Sequence, residues 1–77
     1  PEADNTRDLG SGSLRFAEIH GNDIHAGDMV LDNTNRQKGP NDVDGTRGRW
    51  RIQEGNDSLF IINEVDGTQY RFVLEEV

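Results

Sequence analysis

Apolar positions are thin along the first half of the chain and gather in the second. Over residues 48–77, three short runs rich in β-branched and aromatic residues are separated by Gly55-Asn56-Asp57 and Asp66-Gly67. That spacing predicts a three-stranded antiparallel meander. With Asp66-Gly67 as a two-residue type I′ loop, positive φ is required at both positions. Val65 then lies opposite Thr68, Asn63 opposite Tyr70, Ile61 opposite Phe72 and Leu59 opposite Leu74. Trp50 and Ile52 fall on that same face, while Phe60, Ile62 and Val73 point the other way beside Arg49, Arg51 and Arg71. Both faces are therefore expected to be partly apolar. A sheet this small needs a packing partner before it is stable.

Upstream the pattern is looser. Residues 1–13 are polar and turn-forming, and read as a linker. Leu14-Arg15-Phe16 alternates as a strand does, with Ile19 following. Gly21-Asn22-Asp23 would break any helix there after a turn or two. Ile19-His20-Gly21-Asn22-Asp23 is echoed by Ile24-His25-Ala26-Gly27-Asp28, as in a chain of short strands winding along an axis. Met29-Val30-Leu31 is another short strand, ended by Asp32-Asn33-Thr34. The expected organisation is one small all-β domain. Residues 1–34 form a shaft-like, β-helical-like segment of short strands and turns, 35–47 a loop, and 48–77 the meander. Val43-Asp44-Gly45-Thr46 recurs as Val65-Asp66-Gly67-Thr68, and the same offset of 22 lays Arg49 on Arg71, Trp50 on Phe72 and Ile52 on Leu74. Each Asp-Gly is thus expected to launch an equivalent strand with its large side chain inward.

Size and charge narrow the functional classes. Seventy-seven residues of 31% apolar content bury little surface as a monomer, and without cysteine no disulfide or thiolate metal site can compensate. Oligomerisation remains. A net charge of −7 argues against nucleic acid and anionic membrane surfaces as partners. No stretch is long enough to span a bilayer. Pro1-Glu2-Ala3-Asp4 does not resemble a signal peptide, and reads as the start of a fragment of a longer chain.

The chemistry-bearing residues form no catalytic pattern. Ser11, Ser13 and Ser58 lack a nucleophile-elbow context, and Glu54, Glu75 and Glu76 read as solvated, so no enzyme activity is expected. Asn41-Asp42-Val43-Asp44-Gly45 suggests a calcium loop, but its register puts Pro40 at position one and Arg51 at position twelve, where ligands are required. His20 and His25 could bind an ion only if symmetry gathered copies of one on an axis. No cofactor is expected. Arg49, Arg51 and Arg71 form a basic ladder in an acidic chain. Their stems are expected to cover Phe60, Ile62 and Val73, and their heads to pair with carboxylates of a neighbouring chain. Trp50 and Tyr70 with these arginines would alternatively contact a glycan.

Residues 4–19, with Asp4-Asn5, Leu9-Gly10-Ser11, Arg15-Phe16 and Ile19 in order, resemble a segment of bacteriophage tail fibres and tail spikes. The family more often has Trp at position 16 and Tyr at position 20. No self-cleaving chaperone follows, so autoproteolysis is not carried over, nor is depolymerase activity. The resemblance implies an intertwined homotrimer with a structural role in host attachment, located in the virion tail and extracellular after assembly. The trimer core would be drawn from Leu14, Phe16, Ile19, Trp50, Ile52, Leu59, Phe60, Ile61, Ile62, Phe72 and Leu74. On the alternative reading, in which Trp50, Tyr70 and the arginines form a receptor-recognition tip, the further partner is a bacterial surface glycan.

Overall fold

The computed structural model describes residues 9–11, 15–35 and 38–77. Among them there is no helix. Four strands, β1 (Met29–Asp32), β2 (Arg49–Glu54), β3 (Leu59–Asn63) and β4 (Gln69–Arg71), form one antiparallel sheet in sequential order. The meander thus has four strands where three were expected. Met29-Val30-Leu31 joins it as the edge strand beside β2, with Met29 and Leu31 on the face of Ile52 and Trp50: Met29 pairs with Ile52, Val30 with Arg51 and Leu31 with Trp50.

The β2–β3 ladder sets Trp50 against Asn63, Arg51 against Ile62 and Ile52 against Ile61. One face accordingly carries Met29, Ile52, Ile61 and Tyr70 in one row, and Leu31, Trp50 and Asn63 in the next. The other face carries Val30, Arg51, Ile62 and Gln69, flanked by Gln53, Phe60 and Arg71. Both faces are partly apolar, as the sequence pattern requires.

The last hairpin corrects the expected register. Ile61 faces Tyr70, not Phe72, and the Phe72 N–H donates to the Leu59 carbonyl, where Leu74 was expected. The loop is longer than the type I′ form: the Asn63 N–H donates to Thr68 O at 2.9 Å and the Gly67 N–H to Asn63 O at 2.7 Å, leaving residues 64–67 between the closing pair. Gly67 of the expected loop pair has positive φ, at 82°. The change of register is two residues, so the pleat is kept and every side chain stays on its expected face.

Upstream of β1, residues 15–28 contain no strand, and the expected run of short strands is not formed within the single chain. Its isolated apolar side chains have no neighbouring strand to pack on: Phe16, Ile19 and Ile24 are all exposed. Leu14, with half of the resembling segment, lies outside the described residues. Residues 38–48 are organised by side chains. The Gly48 N–H donates to Asn33 Oδ1 at 2.7 Å, and Arg47 Nη1 donates to the carbonyls of Asn33 and Lys38 at 2.8 and 3.0 Å, tying the loop to the end of β1.

Candidate functional site

Two surfaces could carry function. The first is the Trp50 face. Trp50 and Tyr70 meet diagonally across it, with ring centroids 6.0 Å apart and planes tilted by 37°. At the end of this face, Leu31, Asn33, Lys38, Arg47, Trp50, Asn63 and Val65 line an open cleft of about 460 Å³. Ile52, Leu59, Ile61 and Phe72 are half-buried, and Met29, Leu31 and Leu74 are exposed. No apolar side chain among the described residues is fully buried.

The opposite face is held by charge. Arg49 Nε donates to Glu64 Oε1 at 2.7 Å and its Nη1 to Asp32 Oδ2 at 3.0 Å. Arg51 Nε donates to Glu64 Oε2 at 2.7 Å and its Nη1 to Asp28 Oδ2 at 2.7 Å, with Gln53 Nε2 completing the Asp28 site at 3.0 Å. Glu64 thus bridges two guanidiniums that β2 projects side by side. Its carboxyl is held below the ordinary range by the hydrogen bonds from Arg51 and Arg49. Asp28 is lowered by Gln53 and Arg51, and Asp32 by hydrogen bonds from Thr34 together with the field of Arg49. The same pairing with Glu64 raises Arg49 and Arg51.

This network corrects the expectation that these arginines reach carboxylates of another chain. Arg49 and Arg51 are satisfied within their own chain because Asp28, Asp32 and Glu64 come onto the same face beside them. Arg71 alone of the ladder makes no ion pair among the described residues. The ladder also lies on the face opposite Trp50 and Tyr70, so the proposed glycan contacts do not converge on one surface. Comparison with known proteins returned no matching family model, curated protein or solved structure.

The remaining candidates are dispersed. Phe60 and Ile62 lie on the charged face, half-buried. His20 Nε2 lies 3.2 Å from Glu18 Oε2, both exposed, and no cluster of His, Cys, Asp or Glu among the described residues could hold a metal. No helix of the described residues is long and apolar enough to cross a membrane.

The acidic loop that resembles a calcium site closes on itself instead. Asn41 Oδ1 accepts the Val43 and Asp44 N–H groups at 2.8 and 2.9 Å, while Asp44 Oδ1 accepts from Asn41 Nδ2, Thr46 N and Thr46 Oγ1. These bonds hold the Asp44 carboxyl below its ordinary range, that from Asn41 foremost. Residues 63–68 repeat the design: the Val65 N–H donates to Asn63 Oδ1 at 3.0 Å and the Thr68 N–H to Asp66 Oδ1 at 2.9 Å. The missed signal was the asparagine two residues before each Val-Asp-Gly-Thr.

Proposed function

We propose that the chain is a structural self-assembly module of a trimeric phage tail fibre or tail spike, supporting attachment to the host cell. The observation that carries self-assembly is a regular four-stranded sheet with no fully buried apolar side chain among the described residues. Copies packed through the Trp50 face would cover Met29, Leu31, Ile52, Ile61 and Leu74, at roughly 1.5–3 kcal/mol for each large side chain taken fully out of water. The charged face, satisfied by its own network, suits an outer surface. The likeness of residues 4–19 to tail-fibre sequences supports the number three and the setting. Light scattering at micromolar concentration should give three chains per particle, melting at a temperature that rises with concentration if unfolding is reversible. A stable folded monomer overturns the reading.

A second reading, a glycan-binding tip, is favoured by the aromatic pair beside the cleft. The two differ over Trp50, the chain's single tryptophan. Assembly through its face shields the indole from acrylamide quenching. A glycan site leaves it open until sugar binds, and a glycan array would identify the sugar.

A further inference from the structure

Among the described residues no strand pairs on the outer side of β1 or β4, and the outward groups of these two edges can be assigned. The Asn33 N–H bonds to Gly48 O across β1–β2, and the Phe72 N–H to Leu59 O across β3–β4. By the alternation of an antiparallel ladder, Val30 and Asp32 on β1 and Gln69, Arg71 and the following Val73 turn their backbone groups away from the sheet. Neither edge strand holds a proline or a lysine of the kind that blunts edges in monomeric proteins. Residues 72–77 belong to no strand, and Val73 is 99% and Leu74 70% exposed.

We infer that β4 and the residues after it pair antiparallel with β1 of a second copy of this chain, setting Arg71 opposite Asp32, Phe72 opposite Leu31, Val73 opposite Val30 and Leu74 opposite Met29. The inference rests on the self-assembly reading and adds to the packed Trp50 face the edge contact that joins neighbouring copies. In a four-stranded meander the last strand runs opposite to the first, so copies related by rotation about an axis along the strands meet antiparallel. In this register both faces continue across the seam. Phe72 and Leu74 extend the Trp50 face beside Leu31 and Met29, and Arg71 extends the charged face beside Asp32. Arg71, the arginine left without an ion pair among the described residues, gains one. The Asp32 carbonyl already accepts from Arg15 Nη1 at 3.0 Å, and its second lone pair remains for the ladder.

Self-pairing serves the edges less well. Two β1 strands centred on Val30 would set Asp28 against Asp32 twice. Two β4 segments can match Arg71 with Glu75, but that arrangement leaves both β1 edges open. The head-to-tail seam uses both edges of every copy and closes when the rotation does, here after three.

The chain has no native cysteine, which makes the seam directly testable. Met29 and Leu74 would form a non-hydrogen-bonded pair with Cα atoms about 4.5 Å apart, within disulfide reach. Oxidised Met29→Cys/Leu74→Cys protein is expected to run as covalent dimers and trimers that collapse on reduction. Met29→Cys/Val73→Cys, with thiols on opposite faces, should stay uncrosslinked. Val73→Pro, which removes one outward N–H beyond the last residue of β4, is expected to weaken trimerisation at least tenfold while the circular dichroism stays β. Trimers that leave the Leu74 pair reduced, crosslink both pairs equally or tolerate Val73→Pro overturn the seam and leave the trimer standing. A two-chain particle overturns the threefold closure, and a monomer overturns both readings.

Discussion

The ring of Phe60 lies so close to Gly55 that a Cβ there would sit 2.6 Å from Phe60 Cε2 and 3.2 Å from the Ser58 carbonyl. Glycine is required by this contact rather than by its φ. Gly55→Ala is therefore expected to cost about 1–3 kcal/mol, as overpacking does. Phe60→Leu in the same chain should recover part of the loss, because the shorter side chain removes the ring edge. Thermal denaturation of the single and double variants checks this, and strictly additive losses would show that the ring is not what the new methyl meets. Nothing in Gly55-Asn56-Asp57 announces the contact. Those residues read as an ordinary turn, and the obstacle comes from a side chain five positions on whose rotamer the sequence does not specify.

At the scale of elements, the twin loops show what was legible and why. The repeated Val-Asp-Gly-Thr is visible as letters, and it marks two equivalent turns. Their length is not visible, because Asp-Gly also suits a two-residue hairpin. The asparagine side chains decide between the forms by capping the N–H groups two residues on, and they hold four residues inside the closing pair. Gly45 and Gly67 adopt φ of 74° and 82° in these loops. Valine at either position should cost on the order of 1–3 kcal/mol from backbone strain. Gly39→Val, where φ is not positive and no atom lies within 4 Å of the added Cβ, should cost appreciably less. Denaturation of the three variants beside the parent measures it, with equal losses counting against the loop assignment.

The faces of the strands were legible because parity survives a two-residue change of register. The ion network was not, since Asp28 meets Arg51 across 23 positions and Glu64 is placed by the longer loop. The network carries a pH signature. Asp28, Asp32 and Glu64 are all held below their ordinary values, so their contribution to stability is full above the unfolded carboxylate range, about pH 4, and is lost as pH falls through the lowered folded values. Melting temperature followed downward from neutral pH should fall in that acid window. Glu64→Gln should start lower and fall less steeply there, and a curve parallel to the parent's would dissociate Glu64 from the acid transition.

For the whole molecule, the thinness of the core was readable from composition before any fold was known: few apolar residues, no cysteine and two half-apolar faces. What could not be read is how the parts divide the work. Charge holds one face within the chain, the apolar side chains of the other stay half-buried or exposed, and the two edges differ enough to be told apart. The closed loops have a further consequence for chemical lifetime. Asp-Gly is prone to succinimide formation and isoaspartate ageing because glycine offers no side chain to hinder the reaction, which begins when the glycine nitrogen attacks the preceding side-chain carboxyl. In both loops that nitrogen is committed elsewhere, Gly45 N to Asn41 O at 3.2 Å and Gly67 N to Asn63 O at 2.7 Å, while Thr46 and Thr68 hold the two aspartates. The same bonds that set the turns therefore shield Asp44 and Asp66 from ageing for as long as the chain stays folded.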